Sequence, residues 1–340
     1  MKKIVLAIMA AFTITAAQAQ DSLSTESWFK KNKVFQNLDV SVTAGTTGIG
    51  IDVASKIGDY VQLRAGYEYM PRFQKSIYFP VEVGGQPARV YDANGNRVES
   101  TFDRLSKMLK ELTGLTVDDE VEMVGKPTVN NFKFLVDVFP FKENKHWHFT
   151  AGFYWGPSQF AYAENSTNAM TSLLAVGMYN QIYEKCCNDD PIISIDGDGT
   201  PQNPGMNIFL PEVYRQRIEN YGRMGFHIGD NKETGEAYIM EPDVDSMVKV
   251  YAKSNSFKPY LGFGYGGRLL KNRDDWQVSF DAGAMFWGGT PNLYTHDGTN
   301  LTKDIENISG KVGDWVDFVG GIKVYPVLSV RFTKTIFELF

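Results

Sequence analysis

The residues with chemical potential are few in this 340-residue chain. His146-Trp147-His148 places two imidazoles one residue apart, on one face of an extended segment. With four histidines in all, that pair is thin material for a metal, and hydrogen bonding by His148 is the simpler reading. Asp196-Gly197-Asp198-Gly199-Thr200 resembles the opening of a calcium loop. A loop starting at Asp196 lacks the Glu that closes it at position 12, and turn chemistry accounts for Asp-Gly pairs. Cys186-Cys187 is either a strained vicinal disulfide or two free thiols. Neither Gly-x-Ser-x-Gly nor a Ser or acid motif beside His227 or His296 offers an activated nucleophile. The residues thus point to no catalytic group, no metal and no cofactor. A net charge of −6 argues against nucleic acid.

The charges that do form a pattern lie on the polar sides of alternating segments. They are Asp52, Arg64, Glu68, Lys133, Asp137, Asp281 and Arg331. Both signs occur, interleaved with glycine. Such a set suits a narrow barrel interior, where small residues make room for mutually compensating charges.

Eight segments of period-2 alternation carry that pattern. Their apolar faces run through Leu38 to Ala44, Ile49 to Val53, Val61 to Tyr69, Phe132 to Val138, Trp147 to Trp155, Leu261 to Tyr265, Trp276 to Phe286, and Val324 to Phe332. A soluble sandwich also alternates. Three features favour a membrane barrel. Large aromatics sit at strand ends, where interfacial girdles lie. The other faces mix glycine with charge. Connection lengths also sort: three are short, around 55–59, 140–146 and 268–275. The intervening ones run over about 71–129, 158–255 and 288–321, with one short exception near Gly45 to Gly48. Outer-membrane barrels pair short periplasmic turns with long extracellular loops. No apolar run after the leader is long enough for a spanning helix, so membrane insertion requires a closed barrel.

The leader is residues 1–19. Lys2 and Lys3 precede an uncharged run, Ile4 to Ala17, and Ala17-Gln18-Ala19 sets small residues for cleavage between Ala19 and Gln20. The mature domain is then 20–340. Aromatics at 14% and 32 glycines suit strands with tight turns. Phe340 ends the chain as an outer-membrane assembly signal does, although Lys334 and Glu338 interrupt the last apolar face and predict a register slip there.

This arrangement resembles the small outer-membrane β-barrel proteins of Gram-negative bacteria. Stretches similar to one group of them are Val136-Asp137-Val138-Phe139-Pro140-Phe141 leading to Trp147-His148-Phe149-Thr150-Ala151-Gly152-Phe153-Tyr154, then Phe257-Lys258-Pro259-Tyr260-Leu261-Gly262-Phe263-Gly264-Tyr265-Gly266, and Lys323-Val324-Tyr325-Pro326-Val327-Leu328. The resemblance implies fold and location, with membrane lipids and the assembly machinery as partners. It carries no activity.

The expectation is an all-β chain: a transmembrane antiparallel barrel of about eight strands, with long extracellular loops containing short helices. Helices are predicted at Glu99 to Thr113, Thr167 to Glu184, Pro211 to Tyr221 and Thr302 to Val319, the last interrupted by Gly310 and Gly313. Hairpins are predicted at Val90 to Asn96 and Gly229 to Gly235. Ile77–Val83 and Arg223–Ile228 leave ten or twelve barrel strands open, and the sixth strand can start near Val248. The 159–255 loop holds 14 Asp or Glu against 7 Lys or Arg. The expected role is non-enzymatic, structural or surface-binding, toward an unspecified extracellular ligand. A narrow pore for small solutes is the alternative, ahead of a lipid-modifying enzyme.

Overall fold

The computed structural model describes residue 30 and residues 33–197, 204–308 and 310–338. Ala19, Gln20 and Phe340 therefore lie outside the described residues, as do Asp198 to Thr200. Eight strands close into one barrel: β1 (Asn37–Gly45), β2 (Gly48–Ile57), β3 (Val61–Tyr69), β4 (Asn130–Val138), β5 (Trp147–Trp155), β6 (Phe257–Leu270), β7 (Arg273–Phe286) and β8 (Val324–Glu338). Each pairs antiparallel with its chain neighbours, and β8 returns to β1. These are the eight alternating segments, with β6 and β7 longer than the alternation alone marks. The slip at the end of β8 is present as a register shift between Leu38 and Asp39 of β1. Lys334 faces outward there, its ammonium 5.0 Å from the centre of the Trp276 ring.

The two faces of each strand are inverted relative to a soluble protein. Ile51, Phe149, Leu261 and Phe280 are 56–62% exposed on the outside. Asp52, Arg64, Asp137 and Lys133 are buried within. Gly264 shows why small residues alternate with the polar ones: a Cβ there would overlap the His148 ring and the Asp281 carboxylate.

Connections sort by length. At one end they are residues 58–60, 139–146 and 271–272. At the other they are 46–47, 70–129, 156–256 and 287–323. The three long ones fold together into a cap. All contribute to a five-stranded antiparallel sheet, ordered Asn292–Thr295, Lys249–Lys253, Gln159–Asn165, Glu120–Pro127, Lys75–Pro80. A second sheet joins Ala237–Met240, Met224–Asn231, Glu82–Val83 and Gln86–Pro87. Among the described residues, four α-helices pack around them: α1 (Thr101–Thr113), α2 (Met170–Cys187), α3 (Glu212–Tyr221) and α4 (Gly310–Gly321). Leu105, Val121, Leu173, Met224 and Val248 form a dry core.

The extra segments at Ile77–Val83 and Arg223–Ile228 are extended, but they belong to the cap, so the barrel stays at eight strands. The stretch after Val248 is likewise a cap strand, Lys249–Lys253, separated from β6 by residues 254–256. The fourth helix begins later than predicted. Residues 302–304 turn, Ile305–Glu306 pairs with Asn231 and Asp230, and α4 starts at Gly310, whose φ of 62° lies in the left-handed region that glycine enters freely.

Candidate functional site

The lumen is the first candidate. β2, β3, β4, β7 and β8 bring the seven predicted charges into one network. Lys133 lies 2.9 Å from Asp52 and 2.5 Å from Glu68. Arg64 lies 2.9 Å from Asp137, 3.7 Å from Asp52 and 4.0 Å from Asp281. Arg331 reaches Asp137 at 3.4 Å and Asp281 at 3.3 Å. His148 of β5 is an eighth member, 2.6 Å from Asp281. Four carboxylates thus face two guanidinium groups, one ammonium and one imidazole. Buried charge is tolerated only when paired in this way. Thr150 donates to Asp137 at 2.7 Å, and Arg331 donates to Ser279 at 3.0 Å.

Polar residues that alternation did not single out extend the network toward the end with short turns. Gln62 and Thr335 donate to Asp39 at 2.8 and 2.7 Å, and Ser41 bonds Thr333 at 2.8 Å. They were legible only as members of a polar face. Toward the cap the lumen changes character. Tyr154 meets Tyr260 edge-on at 5.4 Å, Trp287 meets Tyr325 at 5.7 Å, and Phe160 covers Trp287 at 4.7 Å. With Leu135, Met285 and Val327 they make an apolar cluster beside the buried Lys258 and Asn131.

The second candidate stands in the cap. A cavity of about 390 Å³ lies between the five-stranded sheet, the strand Met224–Asn231 and helix α4. Met123, Phe226, Ile228, Met240, Leu301 and Val316 are among its walls. Phe160 and Ile322 line it and also pack on the apolar cluster of the barrel. The cavity therefore shares a wall with the barrel's cap-side end. Sequence reading missed it, because its residues come from all three long connections.

The remaining chemical candidates are dispersed. His146 bonds the Gly266 carbonyl at 2.6 Å. His227 stands 3.8 Å from Glu82, and the Lys249 amide donates to His296 at 3.5 Å. Cys186 and Cys187 are both free thiols, one buried and one exposed. Among the described residues, no group of three or more His, Cys, Asp or Glu side chains is placed to hold a metal.

No protein-family model matches the chain, and no curated protein matches it. Solved structures similar to it include CarO2 of Acinetobacter baumannii, at 13% identity and a TM-score of 0.38, covering 88% of this chain and 98% of that one. CarO of the same organism aligns at 14% identity and a TM-score of 0.35, over 88% and 97%. A major outer membrane protein from Thermus thermophilus aligns at 12% identity and a TM-score of 0.26, over 88% and 98%.

Proposed function

We propose that this is an exported outer-membrane barrel with a filled lumen, which acts without catalysis by binding at the cell surface through its cap. The observation that carries the reading is the inversion of the barrel. Large apolar patches are rare on soluble monomers, yet here the whole circumference is aliphatic and aromatic. A nine-residue strand at about 3.4 Å per residue, tilted by about 40°, rises roughly 23 Å, near the apolar band of about 25 Å in such barrels. The expected leader, with its cleavage between Ala19 and Gln20, fits export. Placed this way, the short turns face the periplasm and the cap faces out.

A filled lumen is favoured over a pore by the ion-pair network and by the aromatic cluster packed beside it. Eight strands enclose just enough space for side chains to fill. The test is reconstitution of the mature chain into lipid vesicles and planar bilayers. The expected result is insertion, read as a heat-dependent gel shift, with no steady ion conductance. Steady conductance overturns the filled lumen in favour of the pore; failure to insert overturns the membrane reading.

A further inference from the structure

We infer that the cap cavity takes the hydrocarbon chain of an anionic amphiphile, of the long-chain carboxylate type, with its headgroup at Lys75. This deepens the surface-binding reading and rests on it for the direction from which the ligand arrives.

The hollow is written into the sheet. Cross-strand register sets Lys75, Gly125, Ala163 and Val250 in one row. It sets Pro127, Ala161, Ala252 and Leu293 in the next. Both rows face the cavity, where glycine and alanine leave the volume that larger side chains would fill. Protein interiors rarely keep voids much larger than a water molecule. A space of about 390 Å³ instead falls in the range of small-molecule sites. Its walls offer water few polar partners, so an apolar occupant suits it better.

The cavity is graded from mouth to floor. Phe73, Lys75, Trp315 and Phe318 line it and are exposed; Met123, Phe226 and Leu301 line it and are buried. Trp315 and Phe318 meet edge-on at 5.7 Å. Lys75 shares its strand face with Ile77 and Phe79, and it has no acidic partner among the described residues. Lys126 on the adjoining strand is already paired, 2.6 Å from Glu164. A free ammonium at the mouth of an apolar hole complements a carboxylate at the end of a hydrocarbon chain.

The mouth is also placed for a lipid source. Phe73 follows the end of β3 by four residues, and Phe318 precedes β8 by six. β3 and β8 flank the β1–β2 hairpin, whose two-residue turn, 46–47, is the lone short connection at this end. The mouth is thus carried by the strands that border the lowest part of the rim. A chain in the outer leaflet meets the barrel there.

The test uses the full mature chain in detergent micelles and, separately, in vesicles. The probes are saturated carboxylates of increasing length, one brominated in mid-chain to quench Trp315, and the alcohol of matching length. Saturable quenching is expected that is absent in Trp315→Phe, with binding tightening about fourfold per methylene until the cavity is filled. Ala163→Phe is expected to lose at least tenfold in affinity. The milder Ala163→Val keeps the cap intact and shifts the optimum to a shorter chain. Lys75→Ala is expected to abolish the preference for acid over alcohol, and Lys75→Arg to keep it. Absence of saturable quenching in both media overturns the site. So does an unchanged length optimum in both Ala163 variants. Equal affinity for acid and alcohol in the unaltered chain overturns the assignment of Lys75. Binding in micelles does not require insertion, so failure here leaves the membrane reading standing, and the reverse holds.

Discussion

Lys133 shows what a single side chain in the lumen is worth. It is buried, and it serves two carboxylates, Asp52 and Glu68. Lys133→Met leaves Glu68 without its cation and Asp52 with Arg64 alone, and breaking a buried pair in this way costs about 3–5 kcal/mol. Urea unfolding from vesicles is expected to record that loss, and adding Glu68→Gln is expected to recover part of it by removing one stranded charge. A loss below about 1 kcal/mol, the scale of exposed pairs, means instead that water fills the lumen. At this scale the sequence was half legible. Alternation alone places Asp137 and Arg331 on polar faces. It does not pair them, because they stand 194 residues apart on β4 and β8 and meet only once the barrel closes. His148 was legible as a hydrogen-bonding residue, while its partner Asp281, 133 residues away, was not.

Elements were easiest to read where one face meets water or lipid and the other does not. All eight barrel strands satisfy that. The cap strand Gln159–Asn165 does not: six of its seven residues are half-buried, and Phe160, Ala161, Tyr162 and Ala163 all line the cavity, so no apolar–polar alternation marks an inner face. The helix α1 was legible because its start is explicit. Ser100 caps Asp103, and Asp103 returns the bond to the Ser100 amide. Ser100→Ala is expected to cost about 1 kcal/mol, measurable as a lower unfolding midpoint of the cap. The short strand Glu82–Val83 gives the cap a pH response. Burial raises the Glu82 carboxyl above its ordinary 4.5, against the pull of nearby His227. A raised carboxyl holds its proton in the folded state. Its favourable contribution is full below the ordinary value and is lost as pH rises through the folded one. Glu82→Gln is therefore expected to raise the cap's thermal midpoint at pH 7 and to flatten its decline from pH 4. An unchanged pH profile removes Glu82 from that role.

For the whole molecule, the inverted barrel and the sorted connections make one claim about direction, and the two native cysteines test it. Cys186 is buried and Cys187 exposed at the end of α2, within the connection 156–256 on the cap side. The turn 139–146 lies at the opposite end of the barrel, with Lys142 exposed on it. If the cap faces the medium, a bulky polymer-linked maleimide added to intact cells modifies Cys187 and spares Cys186. A cysteine placed by Lys142→Cys, in a Cys187→Ser background, reacts only after the outer membrane is opened. A polymer probe is needed because small maleimides cross an outer membrane through its open pores. Reaction of both sites in intact cells means the barrel is not in the membrane. Reaction at position 142 alone means it is inserted with the cap inward, where an amphiphile from the outer leaflet cannot reach Lys75.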